Sequence, residues 1–139
     1  EEDINYEHRF AHRDIESSPD ITGAISVATV TTAHSLEAKA IVTVTKTGKT
    51  ARMISKYRPH CSIIGCSPSP MICRQMNMSW GVTPVLCDEK TNTDELFAHA
   101  VERAEEQNLL QSGDKIIITA GIPLGISGTT NMLKVTTIE

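Results

Sequence analysis

Short apolar runs and longer amphipathic stretches alternate along the chain. Five runs are rich in Ile, Val or Leu and bounded by turn residues, and they predict strands at 41–44, 62–66, 82–87, 115–120 and 132–138. The runs at 41–44, 62–66 and 115–120 have few polar positions, which is typical of strands that are covered on both faces.

The stretches between these runs have apolar residues at three- and four-residue spacing, which predicts helices. The first helix begins after the Asp20 cap and ends near Ala38. Its spacing predicts one buried face, formed by Ile21, Ala24 or Ile25, Ala28, Thr32 and Leu36. Three further helices are predicted at 49–58, at 70–80 with Gly81 as terminator, and at 92–110.

Strands that alternate with helices predict an α/β fold, a three-layer α/β/α sandwich around a five-stranded, mostly parallel sheet. The connection between 120 and 132 has no helical pattern and is too short for a crossover, so the last strand should return antiparallel at one edge. Pro84 lies in the third strand and indicates an edge or bulged position, because proline cannot donate a hydrogen bond to a neighbouring strand.

Composition and charge narrow the function classes. A chain of 139 residues fits one domain, and a net charge of -4 with 4% aromatic residues disfavours a nucleic-acid partner. No apolar run approaches membrane-spanning length, and the acidic start is unlike a signal peptide. We therefore expect a cytoplasmic protein with no membrane partner.

The cysteines and histidines suggest no catalytic group. Cys61, Cys66, Cys73 and Cys87 follow no C-x-x-C spacing, which favours reduced thiols over disulfides or a zinc site. No Ser/His/Asp or Cys/His constellation is visible, and Cys66 or Cys73 as a nucleophile would need an activating base that the sequence does not identify. Neither a catalytic residue nor a metal ligand is predicted.

The turn between the first strand and the second helix is the strongest candidate site, formed by Thr45, Lys46, Thr47, Gly48, Lys49 and Thr50. A helix that opens directly after a strand aims its unpaired N–H groups and positive dipole end into the turn, which favours phosphate. A nucleotide P-loop, G-x-x-x-x-G-K-[ST], would need glycine where this chain has Thr43. An ordinary turn with solvated lysines remains the alternative.

A second candidate is the glycine-rich loop after the fourth strand, with Gly121, Pro123, Gly125, Ser127, Gly128 and Thr129. Ligands in open α/β sheets bind beyond the carboxyl ends of strands, and both segments leave from such ends. Its three glycines would let the loop move or let its backbone approach a ligand, whereas a long hairpin loop without a role is the alternative.

Several ordered motifs resemble the carboxy-terminal domain of pyruvate kinase. They are TVTKTGKTARMISKYRP, SIIGCSPSP, SWGVTPVL, SGDKIIITAG and SGTTNMLKV, and together they cover roughly Asp20 to Glu139. The start, EEDINYEHRF, resembles the stretch that closes the catalytic barrel of that enzyme. The resemblance implies two parts, a tail at 1–18 from the barrel and a regulatory domain at 19–139.

What the resemblance implies is an effector-binding domain that helps to assemble a tetramer. Its turn at 45–50 would bind one phosphate of a phosphorylated effector, and the loop at 121–129 would close over the ligand. The whole enzyme transfers phosphate from phosphoenolpyruvate to ADP, giving pyruvate and ATP, with magnesium and potassium. This chain lacks the barrel, so we expect it to bind no cofactor and to be inactive alone.

The stretch 87–96 departs from the pattern of family members that fructose 1,6-bisphosphate activates. Those members hold the second phosphate there with a tryptophan and an arginine, whereas this chain has four acids and a single cation, Lys90. A monophosphate effector, of a sugar or a nucleoside, is therefore expected. Two alternatives stay open, a purely structural oligomerisation domain and a stand-alone small α/β protein that binds or turns over a phosphate ester.

Overall fold

The computed structural model describes residues 21–45, 47–88, 93–120 and 132–138. In chain order its elements are α1 (Ile21–Leu36), β1 (Ala40–Val44), α2 (Lys49–Lys56), β2 (Ser62–Ser67), α3 (Pro70–Met76), β3 (Val82–Leu86), α4 (Thr93–Glu106), β4 (Lys115–Ala120) and β5 (Met132–Thr137). In these ranges, no helix combines the length and hydrophobicity needed to cross a bilayer.

The strands form one five-stranded sheet in the order β3-β2-β1-β4-β5. β1 pairs in parallel with β2 and β4, β2 pairs in parallel with β3, and β5 returns antiparallel to β4. The predicted mostly parallel sheet with an antiparallel edge strand is confirmed. β3 is the other edge strand, as Pro84 predicted. An edge strand pairs on one side only, so the missing N–H of proline can be accommodated there.

Side chains of the central strands alternate between two apolar layers. On one face Val42, Ile64 and Ile118 pack with α4, which contributes Phe97 and Ala100. On the other face the strands pack with α1, α2 and α3, through a cluster that includes Val30, Ile41, Ile54, Ile63, Met76 and Ile117. The predicted three-layer sandwich is therefore confirmed, and its inner strands are covered on both faces.

The predicted buried face of α1 is wrong. Ile21 is 67% exposed, Ala24 and Ala28 are also exposed, and Ile25, Thr32 and Leu36 are only half-buried. The helix instead buries small and hydroxylated residues, namely Thr22, Gly23, Ser26, Thr29, Val30 and Ala33.

Short side chains explain this orientation, because they let the helix approach the sheet and its neighbour closely. The hydroxyl of Ser26 donates to the Thr22 carbonyl oxygen at 2.8 Å, and that of Thr29 donates to the Ile25 carbonyl oxygen at 2.7 Å. Burying these two polar groups therefore leaves no hydroxyl without a partner. The prediction from hydrophobic spacing assumed that α1 buries its apolar residues, and it therefore selected the opposite face of the helix.

All four helices end earlier than their patterns predict, and the difference is largest for α3 and α4. α3 ends at Met76 rather than near Trp80, since the N–H groups of Met78 and Ser79 bond three residues back in tight turns. Gly81, with φ of 73°, belongs to the entry into β3 and not to the end of the helix. α4 ends at Glu106 although its core residues Phe97, Ala100 and Ala104 are buried as predicted.

Candidate functional site

The chain reverses its direction across the sheet between β1 and β4. From β1 it moves outward to β2 and β3, and it then returns over the opposite face through α4 to place β4 beside β1. Since the two strands are parallel, the segments that follow them leave from the same end of the sheet, where the carboxyl ends of the strands lie. Open α/β sheets bind ligands at such a reversal point, which makes the carboxyl ends of β1 and β4 the candidate site.

Two threonine hydroxyls lie near the carboxyl ends of β1 and β4. Thr43 on β1 and Thr119 on β4 are partners in the register, and both are fully buried. Among the described residues, neither hydroxyl has a hydrogen-bond partner. A buried polar group without a partner costs free energy, so these two hydroxyls destabilise the sheet where they lie.

The turn after β1 is held by three hydrogen bonds. The Thr45 N–H donates to the Cys66 carbonyl oxygen on β2 at 2.9 Å, which extends the parallel ladder by one residue. The Gly48 N–H donates to Thr45 Oγ1 at 2.9 Å, and the Lys49 N–H donates to Thr47 Oγ1 at 3.3 Å. Each threonine oxygen accepts a backbone donor and still carries a proton of its own for a ligand.

Gly48 is required where it stands for two reasons. Its φ is 81°, in the left-handed region that side chains with a Cβ avoid. A Cβ at this position would lie 3.2 Å from Met76 Cγ and 3.3 Å from Arg52 Nη1. Gly48 is also the N-cap of α2 and has no side chain to accept from that helix end, where Thr47 Oγ1 accepts from the Lys49 N–H.

Two cations lie at the amino-terminal end of α2. Its first turn contains no acidic residue, and the first helical residue, Lys49, is exposed. Arg52 reaches back along the helix, and its Nη1 donates to the Thr47 carbonyl oxygen at 3.3 Å. These two cations add to the positive end of the helix dipole.

Sequence reasoning missed Arg52 as a site residue. A signal was present, since Arg52 follows Gly48 by four positions and helical side chains point back toward the amino terminus. A residue one turn into the helix can therefore reach the turn that precedes it.

The structure brings the described members of the first candidate set together. Thr45 and Thr50 are buried, Gly48 is buried beneath α3, and Thr47 and Lys49 are exposed. Lys46 lies outside the described residues. So does the whole second set, Gly121, Pro123, Gly125, Ser127, Gly128 and Thr129. The binding role of both sets stays a prediction.

An arginine outside the stretch 87–96 reaches the end of β3, where a second phosphate would bind, and the sequence did not indicate it. Arg103 on α4 donates to the Leu86 carbonyl oxygen at 3.0 Å and pairs with Glu106 at 2.9 Å. Nearby, the Asp88 N–H donates to Nε2 of His99 at 3.0 Å. The Arg103 guanidinium is already engaged by protein acceptors at the end of β3.

The cysteines are free thiols, and two of them are poorly suited to nucleophilic catalysis. A hydrogen bond with the Cys87 thiol and then burial raise the pKa of Cys66 well above its ordinary value. Burial is also the main cause that raises the pKa of Cys73. Both thiols therefore stay protonated near neutral pH, which weighs against a covalent phosphate-ester enzyme.

Across 21–45, 47–88, 93–120 and 132–138, no group of three or more His, Cys, Asp or Glu side chains is placed to hold a metal ion.

Comparison with known proteins agrees with the fold and the motifs. The profile of the family described as pyruvate kinase, alpha/beta domain, matches residues 23–136. The chain is 45% identical to a pyruvate kinase of Clostridium acetobutylicum over 139 residues, all of this chain and 29% of that protein. It is 49% identical to a pyruvate kinase of Staphylococcus epidermidis over 115 residues, 83% of this chain and 20% of that protein.

A solved structure gives the same result in three dimensions. The crystal structure of a pyruvate kinase from Cryptosporidium parvum superposes with a TM-score of 0.85 and 30% sequence identity, covering 98% of this chain and 27% of the other. This chain thus spans less than a third of the length of these relatives. It belongs to the family of the pyruvate kinase alpha/beta domain.

Proposed function

We propose that this chain is the regulatory and assembly part of a pyruvate kinase and binds a phosphorylated effector at the turn formed by residues 45–50. In this proposal residues 19–139 are the regulatory domain and residues 1–18 are a tail from the end of the catalytic barrel. The relatives named pyruvate kinase, and the family of which the chain is a member, support this assignment.

The amino-terminal end of α2 is the observation that carries the effector site. It opens at the reversal point of the sheet, its cap residue has no side chain, and Lys49 and Arg52 flank it. A phosphate there would receive backbone N–H donors, the helix dipole and two cations together. The loop at 121–129 leaves the neighbouring strand β4 and would cover the ligand.

A monophosphate of a sugar or nucleoside is the proposed effector class. A second phosphate near the end of β3 would approach exposed Asp88 and, at the start of α4, exposed Asp94 and Glu95. In the part of the chain that the structure describes, Arg103 reaches this strand end, and Leu86 and Glu106 already engage it. A bisphosphate should therefore gain little from its second group.

In the whole protein the proposed mechanism is linkage between effector and substrate. The full enzyme would transfer phosphate from phosphoenolpyruvate to ADP in the last step of glycolysis, using magnesium and potassium held by its barrel. An effector that favours one quaternary arrangement by about 1–3 kcal/mol changes substrate affinity roughly 5- to 150-fold.

Ligand-induced stabilisation of this chain tests the effector site. We would measure thermal unfolding with adenosine monophosphate, glucose 6-phosphate, ribose 5-phosphate and fructose 1,6-bisphosphate. A ligand at about 100 times its dissociation constant adds roughly 2.7 kcal/mol to the free energy of unfolding. We expect a shift with at least one monophosphate, and tighter binding of the bisphosphate in isothermal titration would contradict the monophosphate class.

A matched pair of lysine variants locates the site. Lys49→Ala should abolish the shift without unfolding the chain, because an exposed lysine contributes little to stability. Lys56→Ala removes the same charge from the opposite end of α2 and should keep the shift. If both variants lose it equally, binding depends on overall charge and not on the turn.

One observation favours the second candidate, a purely structural assembly domain. α1 exposes Ile21, Ala24 and Ala28 on one face, and an exposed apolar face suits contact with another protein surface. The rest of a pyruvate kinase chain and further copies are the proposed partners. Absence of any ligand shift, together with self-association in analytical ultracentrifugation, would favour this function over effector binding.

A further inference from the structure

Two cysteines lie side by side at the carboxyl edge of the sheet, on the face covered by α4. Cys66 is on β2 opposite Val85 of β3, and Cys87 follows β3 two positions after Val85. Side chains two positions apart on a strand point to the same face. Cys66, Val85 and Cys87 accordingly belong to one apolar cluster.

The two thiols lie on the same side of neighbouring strands within that cluster. Their interaction raises the pKa of Cys66 and lowers the pKa of Cys87. Neither thiol is freely exposed, since Cys66 is 0% and Cys87 is 4% accessible. The Cys87 N–H donates to the Ser67 carbonyl oxygen at 3.0 Å, which holds the second cysteine against the end of β2.

We propose that Cys66 and Cys87 form a reversible dithiol–disulfide site that a peroxide oxidises. The Cys87 thiolate would attack one peroxide oxygen, break the O–O bond and become a sulfenic acid, while the second oxygen leaves as water or alcohol. The Cys66 sulfur would then attack the Cys87 sulfur, form the S–S bond and release the sulfenic oxygen as water. A thiol reductant restores both cysteines and is itself oxidised.

Closure requires a movement, and the structure indicates which cysteine moves. A disulfide brings its sulfurs to about 2.05 Å, closer than a hydrogen-bonded contact. Cys66 is fixed between two neighbours, because β2 pairs with both β1 and β3. Cys87 follows an edge strand and is bound through Ser67 at its end, so it can approach Cys66 at the lower cost.

The other two cysteines are built-in controls. Cys61 precedes β2, at the opposite end of that strand. Cys73 is on α3 and packs with the cluster on the other face of the sheet, although its thiol reaches the Ser67 carbonyl oxygen at 3.8 Å. The site therefore predicts a single pairing out of the six that four cysteines allow.

Peptide mapping of the whole chain after treatment with hydrogen peroxide tests the proposal. Trypsin places Cys61, Cys66 and Cys73 in one peptide, 57–74, because it does not cleave before Pro59, and it places Cys87 in another, 75–90. We expect one linked product of these peptides, with fragmentation assigning the link to Cys66, and reduction by dithiothreitol should remove it. The same treatment in concentrated urea should give a mixture of disulfides between different pairs of the four cysteines.

Serine variants complete the test, with circular dichroism confirming that each one folds. Cys66→Ser and Cys87→Ser should each lose the link, whereas Cys61→Ser and Cys73→Ser should keep it. A link from Cys73 or Cys61 to Cys87, or no link in the folded chain at peroxide concentrations that oxidise its methionines, would overturn the proposal. None of these readouts depends on phosphate binding.

Discussion

Replacing Gly48 by alanine tests whether the candidate turn is built as the structure indicates. The left-handed backbone at φ of 81° costs a residue with a Cβ about 1–2 kcal/mol. The new Cβ would also lie 3.2 Å from Met76 Cγ, and Met76 is fully buried and has little room to move. Crowding of this kind adds about 1 kcal/mol or more, so we expect a total loss of roughly 2–3 kcal/mol.

Gly81 supplies a matched control for this substitution. Its φ is 73°, and an added Cβ would meet nothing within 4 Å, so Gly81→Ala should cost only the backbone strain. Both changes restrict the unfolded chain equally, and their difference isolates the crowding of the new Cβ, chiefly against Met76 and Arg52. Urea unfolding followed by circular dichroism is suitable, because the single tryptophan, Trp80, is adjacent to Gly81 and would distort a fluorescence signal.

The two variants should therefore differ by at least about 1 kcal/mol, or roughly 3 °C in melting temperature for a domain of this size. If Gly48→Ala is no less stable than Gly81→Ala, the close approach of Met76 to the turn is wrong. If both variants match the unmodified chain, the left-handed conformation assigned to these glycines is wrong as well.

Three further predictions test the charge at the turn, the orientation of α1 and the environment of one thiol. Arg52→Ala should weaken binding of inorganic phosphate about 5-fold, measured by isothermal titration, whereas Arg58→Ala beyond the other end of α2 should not change it. Ala33→Leu should lower the free energy of unfolding, measured in urea, by about 1–3 kcal/mol because Ala33 is buried. The same change at exposed Ala28 should alter it by no more than about 0.5 kcal/mol. Equal effects at both positions would contradict the observed buried face of α1. Burial raises the pKa of Cys61 to about 11, so at pH 8 iodoacetamide should alkylate this thiol about 100-fold more slowly than in the denatured chain. The alkylation rate should rise with pH up to that pKa. Equal rates in the folded and denatured chains at pH 8 would refute the shift.

Local pattern was sufficient for the sheet and for the candidate turn. The Ile- and Val-rich runs at 41–44, 62–66 and 115–120 predicted strands covered on both faces, since only such strands tolerate so few polar positions. The missing helix pattern between 120 and 132 predicted the antiparallel return. Gly48 between two lysines, directly after a strand, marked the turn, because the positive end of a helix dipole is a property of the helix itself.

Other features depended on residues that are distant in sequence. The buried face of α1 was predicted incorrectly because hydropathy cannot show that Ser26 and Thr29 satisfy their hydroxyls inside the helix. Arg52 belongs to the candidate site because it contacts the Thr47 carbonyl oxygen, and Met76, on a different helix, adds to the need for glycine at 48.

The amino-acid pattern defined the type and order of most elements, the position of the turn after β1 and, through the motifs, the family. Those properties follow from residues that are neighbours in the chain or repeat with the period of a helix or strand. Three placements emerged only from the folded chain: β1 lies beside β4, Thr43 lies beside Thr119 with no hydrogen-bond partner among the described residues, and Cys66 and Cys87 belong to one buried cluster. These contacts join distant segments, and packing of both sheet faces selects them, which no local pattern records.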